Sequence, residues 1–372
     1  MRPLDVAAGS PTSLAHVDVV IPVHSEDRPI LRAVGSVLAD PEIGVRACVV
    51  CHNVGADRIR AALGSVADDP RVALLEYADG TASAAGPVNF GLANATGAWV
   101  MRLDSDDELE PGALRGMLAT AERTRSDVVI PLLVRDDGVA PSPRPRPGRV
   151  TRLDPVRDRL AYRTHSFALT RREALGDLRM TEGVRSGEDL EFATRLWFSA
   201  PRIALHLGPG YRLNGDASDR VTRARRTVAE DVEAVLRLVG GDWWAGLPGV
   251  ARRSIGTKLL RNHVFPLFLS RPTPDDWSTD DVSALRSATR AVLDAAPGAD
   301  RPLSMTEAGL LRIALSAEPD VAAAHRLARR PKRLVEIWTT GRRSALLARD
   351  APVRMNLSAR ALARAAARSR RA

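Results

Sequence analysis

The chain has 372 residues and a formal net charge of +9, with 45% hydrophobic and 27% charged residues. That balance supports two or three packed domains and excludes a broadly disordered chain. No apolar run reaches the ~18 residues that a membrane helix needs. Met1–His16 lacks the basic-then-apolar order of a secretion signal, so a cytoplasmic protein is expected.

The surplus of 54 basic over 45 acidic residues favours anionic partners. Almost all of it is arginine, since only Lys258 and Lys332 are lysines. With 4% aromatics there are few platforms on which single-stranded nucleic acid could stack. Nucleotide phosphates and anionic lipid are the expected anions, and nucleic acid is not. The two cysteines, Cys48 and Cys51, lie in an apolar run that reads as a strand. Positions i and i+3 of a strand face opposite ways, so a structural rather than a redox role is expected.

From Val17 to Val134 strands and helices alternate. Strands are expected at Val17–Val23, Ala47–Cys51, Val72–Tyr77, Ala98–Leu103 and Asp127–Val134. Helices are expected at Ile30–Leu38, Arg58–Val66, Val88–Ala95 and from Pro111 to Thr124. Apolar strands alternating with helices imply an α/β fold with a mostly parallel sheet covered on both faces. Ligands then bind beyond the carboxyl ends of the strands. The proline-rich Pro141–Gly148 can be neither helix nor central strand, and is expected to separate a nucleotide-binding half from an acceptor-binding half. A short strand at His165–Leu169, helices at Arg171–Leu175 and Glu188–Ser199, and a strand at Ile203–Leu207 follow. Beyond residue 225 the pattern is mainly helical. The expected organisation is a tail (1–16), an α/β domain (17–225), a helical domain (226–350) and a basic tail (351–372).

In that last segment Arg360, Arg364 and Arg368 fall on one helical face. A contact to anionic lipid headgroups and a solvated terminal helix are the two readings. The first would place the protein peripherally on the inner face of the cell membrane.

The most informative stretch is Arg102-Leu103-Asp104-Ser105-Asp106-Asp107. Three carboxylates in four residues at a strand's end repel one another unless water or a divalent cation neutralises them. Mg²⁺ and Mn²⁺ take oxygen ligands, commonly one or two carboxylates with substrate phosphates. A D-x-D at this edge could hold such an ion against a diphosphate.

With these residues in view, the chain resembles glycosyltransferase family 2, whose bacterial members have the GT-A fold of nucleotide-diphospho-sugar transferases. Ile21-Pro22-Val23-His24 resembles the family's opening strand, and Gly86-Pro87-Val88-Asn89 through Gly97 the segment before its metal motif. Leu103-Asp104-Ser105-Asp106-Asp107 with Pro111 resembles that motif, and Gly187-Glu188-Asp189-Leu190 its Glu-Asp pair. The resemblance spans roughly residues 17–222. It implies an inverting, metal-dependent transfer of a sugar from a nucleotide-diphosphate donor to a hydroxyl of a glycan or glycolipid. It implies Asp106 as ligand to Mn²⁺ or Mg²⁺, Asp104 on the metal and the donor, and Asp107 in support. Asp189 would be the general base, with Glu188 beside it. Pro22, His24, Asn53, Asn89 and Arg220 would contact the donor.

Two departures bear on detail. Where the family often has a base-reading aspartate this chain has Asn53 and Asp57 nearby, and Val88 stands where a basic residue often precedes Asn89. His206, in an apolar strand, reads as core or as a further metal ligand, and Trp243-Trp244 as core or as a stacking platform. The rival readings are a catalytically silent scaffold of the same fold and a sugar nucleotidyltransferase. The glycine-free His24–Arg28 argues against the second.

Overall fold

The computed structural model describes residues 16–216, 226–330, 335 and 338–371. The N-terminal part alternates β1 (Val17–Val23), α1 (Ile30–Leu38), β2 (Val45–His52), α2 (Ala56–Leu63), β3 (Val72–Tyr77), α3 (Ala85–Ala93) and β4 (Trp99–Arg102). Then come β5 (Glu108–Leu109), α4 (Ala113–Thr124), β6 (Val128–Ile130), β7 (Leu133–Arg135), β8 (Gly138–Ala140), β9 (Leu169–Arg171), α5 (Arg172–Leu175), α6 (Leu190–Ser199), β10 (Ile203–Leu205) and β11 (Tyr211–Arg212).

A seven-stranded sheet has the order β10-β6-β9-β4-β1-β2-β3. Its pairs are parallel except where β9 lies antiparallel between β6 and β4. The central strands are valine- and isoleucine-rich and buried on both faces, as a parallel sheet covered by helices requires. Asp18 is an exception inside β1. Its carboxylate is buried, but Arg46 donates two hydrogen bonds to it at 2.9 Å, and the Thr96 and Gly97 amides donate two more. Helix α3 lies close on β1 and β2 because Gly91 faces them. A Cβ there would come within 2.3 Å of Val20.

The expected strand over 127–134 is in fact two. Pro131 has no N–H to give a ladder, so the chain breaks there. β6 stays in the main sheet, whereas β7 joins a second sheet of order β5-β11-β7-β8. The short strands β5, β8 and β11 of that sheet were not foreseen.

Beyond Thr227 the chain is helical: α7 (Val228–Gly240), α8 (Asp242–Ala245), α9 (Gly249–Leu259), α10 (Leu267–Ser270), α11 (Thr279–Ala295), α12 (Met305–Leu315), α13 (Val321–Arg329) and α14 (Pro352–Ser369). Capping boxes at Thr227/Glu230, Ser278/Asp281 and Ser304/Glu307 start α7, α11 and α12. Their apolar faces meet in one core that also takes in Ala161, Val184 and Leu190 from the α/β part. Trp244 is buried there, donating to the Ala295 carbonyl at 3.1 Å, and Trp243 packs at its edge, so this pair is core. Arg261 ties the parts together by donating to Glu307, the Tyr162 hydroxyl and the Pro302 and Asp350 carbonyls. Helix α14 folds back on the sheet domain. Leu362 and Ala366 are buried in the core beneath β6 and β10, and Arg370 reaches Glu110 at 2.5 Å. Among the described residues no helix is long and apolar enough to cross a membrane.

Between α9 and α10 the backbone widens into a π turn over Leu260–Val264, with the Phe265 amide donating to the Leu260 carbonyl. Residues five apart, which diverge around an α-helix, then lie on one side. Lys258 and His263 meet in this way, Nζ to Nε2 at 2.9 Å.

Candidate active site

The ends of β1, β2 and β4, and the segment after β3, open on one cavity of about 910 Å³. Pro22 and His24 follow β1, His52 and Asn53 close β2, Thr81–Ala84 follow β3, and Asp104–Asp107 follow β4. This is the carboxyl edge at which parallel sheets bind ligands.

The three carboxylates come together here, with oxygens of Asp104, Asp106 and Asp107 within 4.8 Å of one another. Each is held differently. The Arg102 Nε donates to Asp104 at 2.8 Å. Asp106 pairs with the guanidinium of Arg28 at 2.9 Å, and Arg32 donates to its backbone carbonyl. Asp107 is only 3% exposed and accepts from the Tyr211 hydroxyl and the Asn214 amide, both at 2.9 Å. Burial, with the charges of Asp104 and Asp106 beside it, pushes the Asp107 carboxyl up to about 7. Such a crowd of hard oxygen donors, with one member driven toward protonation by its neighbours, fits a divalent cation such as Mg²⁺ or Mn²⁺. Asp104 and Asp106 are the members that would hold it, because Asp107 is engaged by Tyr211 and Asn214.

Asp189 stands at the N-terminus of α6, yet its side chain makes no capping bond. It lines a second cavity, of about 470 Å³, with Thr164, His165, Lys258 and His263. Its Oδ2 is 3.9 Å from His165 Nδ1. Burial raises the Asp189 carboxyl, partly offset by the charges of Arg102 and Lys258. His165 lines both cavities. Its ring stacks on Phe167 at 5.2 Å, and Phe167 on Tyr211 at 4.1 Å. Since Tyr211 also accepts from the Asp104 amide at 3.0 Å, one row of rings joins the acidic edge to Asp189. The two cavities therefore share the His165 wall. Glu188 lines neither; burial and Asp189 raise its carboxyl.

Other expected positions divide. Asn53 lines the large cavity with a left-handed backbone, φ 55°, but its amide is engaged by the 79–81 loop. Its Oδ1 accepts from the Asp79 and Gly80 amides, and its Nδ2 donates to the Thr81 carbonyl. Asp57 is exposed on α2 outside the cavity. Asn89 does not reach the cavity either. Its amide donates to the Met180 carbonyl and accepts from the Met180 amide at 2.8 Å, fixing the loop before Asp189. His206 lies under α4, 2.9 Å from the Thr120 hydroxyl and away from the carboxylates. Burial pushes it down to about 4. Cys48 and Cys51 are free and buried, with thiols pushed up to about 11 by burial, which suits a structural role. Arg220 lies outside the described residues.

Sequence reading missed Arg28, Arg102, His165, Tyr211 and Lys258. For Lys258 a signal existed: it is one of two lysines among 54 basic residues. Lysine differs from arginine in giving up its proton readily when buried.

Residues 18–179 match the model of glycosyl transferase family 2. They form a family 2 glycosyltransferase domain. Succinoglycan biosynthesis protein ExoO of Rhizobium meliloti (strain 1021) is 32% identical over 114 residues, 31% of this chain and 32% of that protein. The chain thus spans about a third of the length of this curated relative. Among solved structures, S. aureus TarS 1–349 in complex with UDP-GlcNAc superposes with a TM-score of 0.67 at 16% identity, covering 84% of this chain and 91% of that one. A second structure of TarS 1–349 gives 0.66 at 16% identity, covering 86% and 92%. The chain has a GT-A-like fold with a helical C-terminal region.

Proposed function

We propose that the protein is an inverting glycosyltransferase that moves a sugar from a nucleotide-diphosphate donor to a hydroxyl of a glycan or glycolipid, with Mn²⁺ or Mg²⁺ bound. One observation carries this reading. Three converging carboxylates at the sheet's carboxyl edge are joined through His165, Phe167 and Tyr211 to a carboxylate, Asp189, that accepts no hydrogen bond from another described residue.

The nucleoside occupies the ends of β1 to β3, walled by Pro22, His24 and the loop that Asn53 holds in place. The diphosphate lies against Asp104, Asp106 and Arg28. Arg28, already at the site, is a donor contact in addition to Arg220. Asp104 and Asp106 would hold a divalent ion, which would supply charge stabilisation for the departing diphosphate. Asp189 takes the proton of the acceptor hydroxyl, and that oxygen attacks the anomeric carbon from the side opposite the diphosphate. One base and one displacement invert that carbon. Arg102 donates to Asp104 at 2.8 Å, and its charge favours the ionised form of Asp189. The membrane-side location stays within this proposal. Arg360, Arg364 and Arg368 are all exposed on α14, and Arg360 lies 4.8 Å over the Trp338 ring.

The experiment is a thermal-shift screen of UDP-, GDP- and dTDP-sugars with Mn²⁺ or chelator, followed by nucleotide-sugar hydrolysis. One donor is expected to raise the melting temperature only with the cation, because ligand bound to the native state stabilises it by mass action. Failure of every donor would leave the silent scaffold. Cation-independent binding would remove the roles given to Asp104 and Asp106.

A further inference from the structure

The second cavity holds a feature that the transfer reaction as written does not use. Lys258 is 1% exposed and lines this cavity beside Asp189. Its ammonium donates to the His263 imidazole at 2.9 Å. Among the described residues no carboxylate lies within 4.0 Å of it, and the imidazole is its only hydrogen-bond partner. A buried ammonium without a counter-ion costs several kcal/mol, so such groups are normally paired. The other cation of the wall, Arg261, is no substitute, because Glu307, Tyr162 and two carbonyls take up its donors. The π turn is what points Lys258 and His263 into the same space.

We infer that this cavity binds an oxyanion of the acceptor, a phosphate or carboxylate group, on Lys258, and so selects acidic acceptors and presents their hydroxyl to Asp189. The inference rests on the transferase reading and names its acceptor class. The charged groups facing Lys258 are Asp189 from α6, His263 from the π turn, His165 from the loop before β9, and Arg261. Asp189 attracts the ammonium without contacting it. Burial pushes Lys258 down to about 7, the behaviour of an ammonium lacking its anion. An arriving oxyanion restores the protonated form, and by linkage the protonated form binds the anion more tightly.

The two lysines make this directly readable. In full-length protein labelled with ¹³C-lysine, Lys258 and Lys332 give two Cε signals, assigned with Lys332→Arg. Glycerol 1-phosphate, D-glucuronate and uncharged glycerol are titrated in turn near pH 8. The expected result is a saturable movement of the Lys258 signal toward its protonated position with at least one anion and none with glycerol. The midpoint of its pH titration should rise by at least about one unit, equivalent to tenfold tighter binding by the ammonium than by the amine. A response to phosphate alone assigns polyol-phosphate acceptors, and a response to glucuronate alone assigns acidic sugars. A Lys258 signal that moves no more than that of Lys332 with either anion overturns the inference. The donor screen above is read on the same protein. Donor binding with an indifferent Lys258 keeps the transferase and loses the acidic acceptor; a responsive Lys258 without donor binding does the reverse.

Discussion

The two cavities are built in opposite ways. The larger is made of strand ends, carries three carboxylates within 4.8 Å, and sets arginines against them while burial raises the Asp107 carboxyl. The smaller is walled in part by a π turn between helices and carries a buried ammonium with no carboxylate within 4.0 Å among the described residues. One crowds carboxylates together, the other buries an ammonium that no anion contacts. Both imbalances cost stability, and both are relieved by what the site is proposed to bind. His165 is the wall they share.

This contrast can be broken most sharply at Asp189. Asp189→Asn keeps the shape but removes the base, and transfer is expected to fall by about 10³-fold while the donor-induced thermal shift is retained. Comparable transfer by the variant, in single-turnover assays, would detach the smaller cavity from the chemistry. Asp106→Asn should lower kcat/KM by about 10²-fold and abolish the difference between Mn²⁺ and chelator in the thermal-shift assay. The pH profile follows from burial. Because the Asp189 carboxyl is raised, activity should climb with pH through a midpoint above the ordinary aspartate value of about 4, as the base loses its proton.

A stability measurement tests the positive side. The folded-state value of Lys258 is about 7 against about 10.4 in an unfolded chain. The penalty for burying its charge is complete below pH 7 and is relieved as pH rises toward 10, so wild-type stability should rise across that window. Lys258→Met is then expected to stabilise the free protein by about 1–3 kcal/mol at pH 6.5, with the gain shrinking by pH 9, as read from denaturant midpoints. A destabilised variant at pH 6.5 would mean that the ammonium is paid for by contacts already present. The smallest effect is expected at Arg370→Ala. The Arg370–Glu110 pair is part-exposed and Glu110 keeps Arg212, so the loss should stay within about 1 kcal/mol.

How far each cavity could be read from the sequence follows from how it is assembled. Asp104, Asp106 and Asp107 are neighbours in the chain, and the apolar β4 before them declares a strand end, so location and chemistry were legible together. The α/β alternation was legible for the same reason, since each element's pattern is local. Pairing was not. The break at Pro131 depends on which sheet each half joins, and β5 and β11 are two residues long with no pattern to detect. Asn89 and Asn53 lie in the segments expected to bind donor, but their amides fasten loops, which only the coordinates of Met180 and Asp79 reveal. Lys258 and Asp189 are 69 positions apart yet line one cavity, and the helical irregularity beside Lys258 has no sequence period.

The break at Pro131 has a consequence for how such an enzyme could change. The hairpin of β7 and β8 carries Arg135, Asp136 and Asp137 to the rim of the large cavity, but it belongs to the minor sheet. Residues inserted at its tip would narrow or widen the entrance without unzipping a single ladder of the main sheet. The entrance can therefore be reshaped by lengthening one surface turn, with the Asp104–Asp107 carboxylates left where they are.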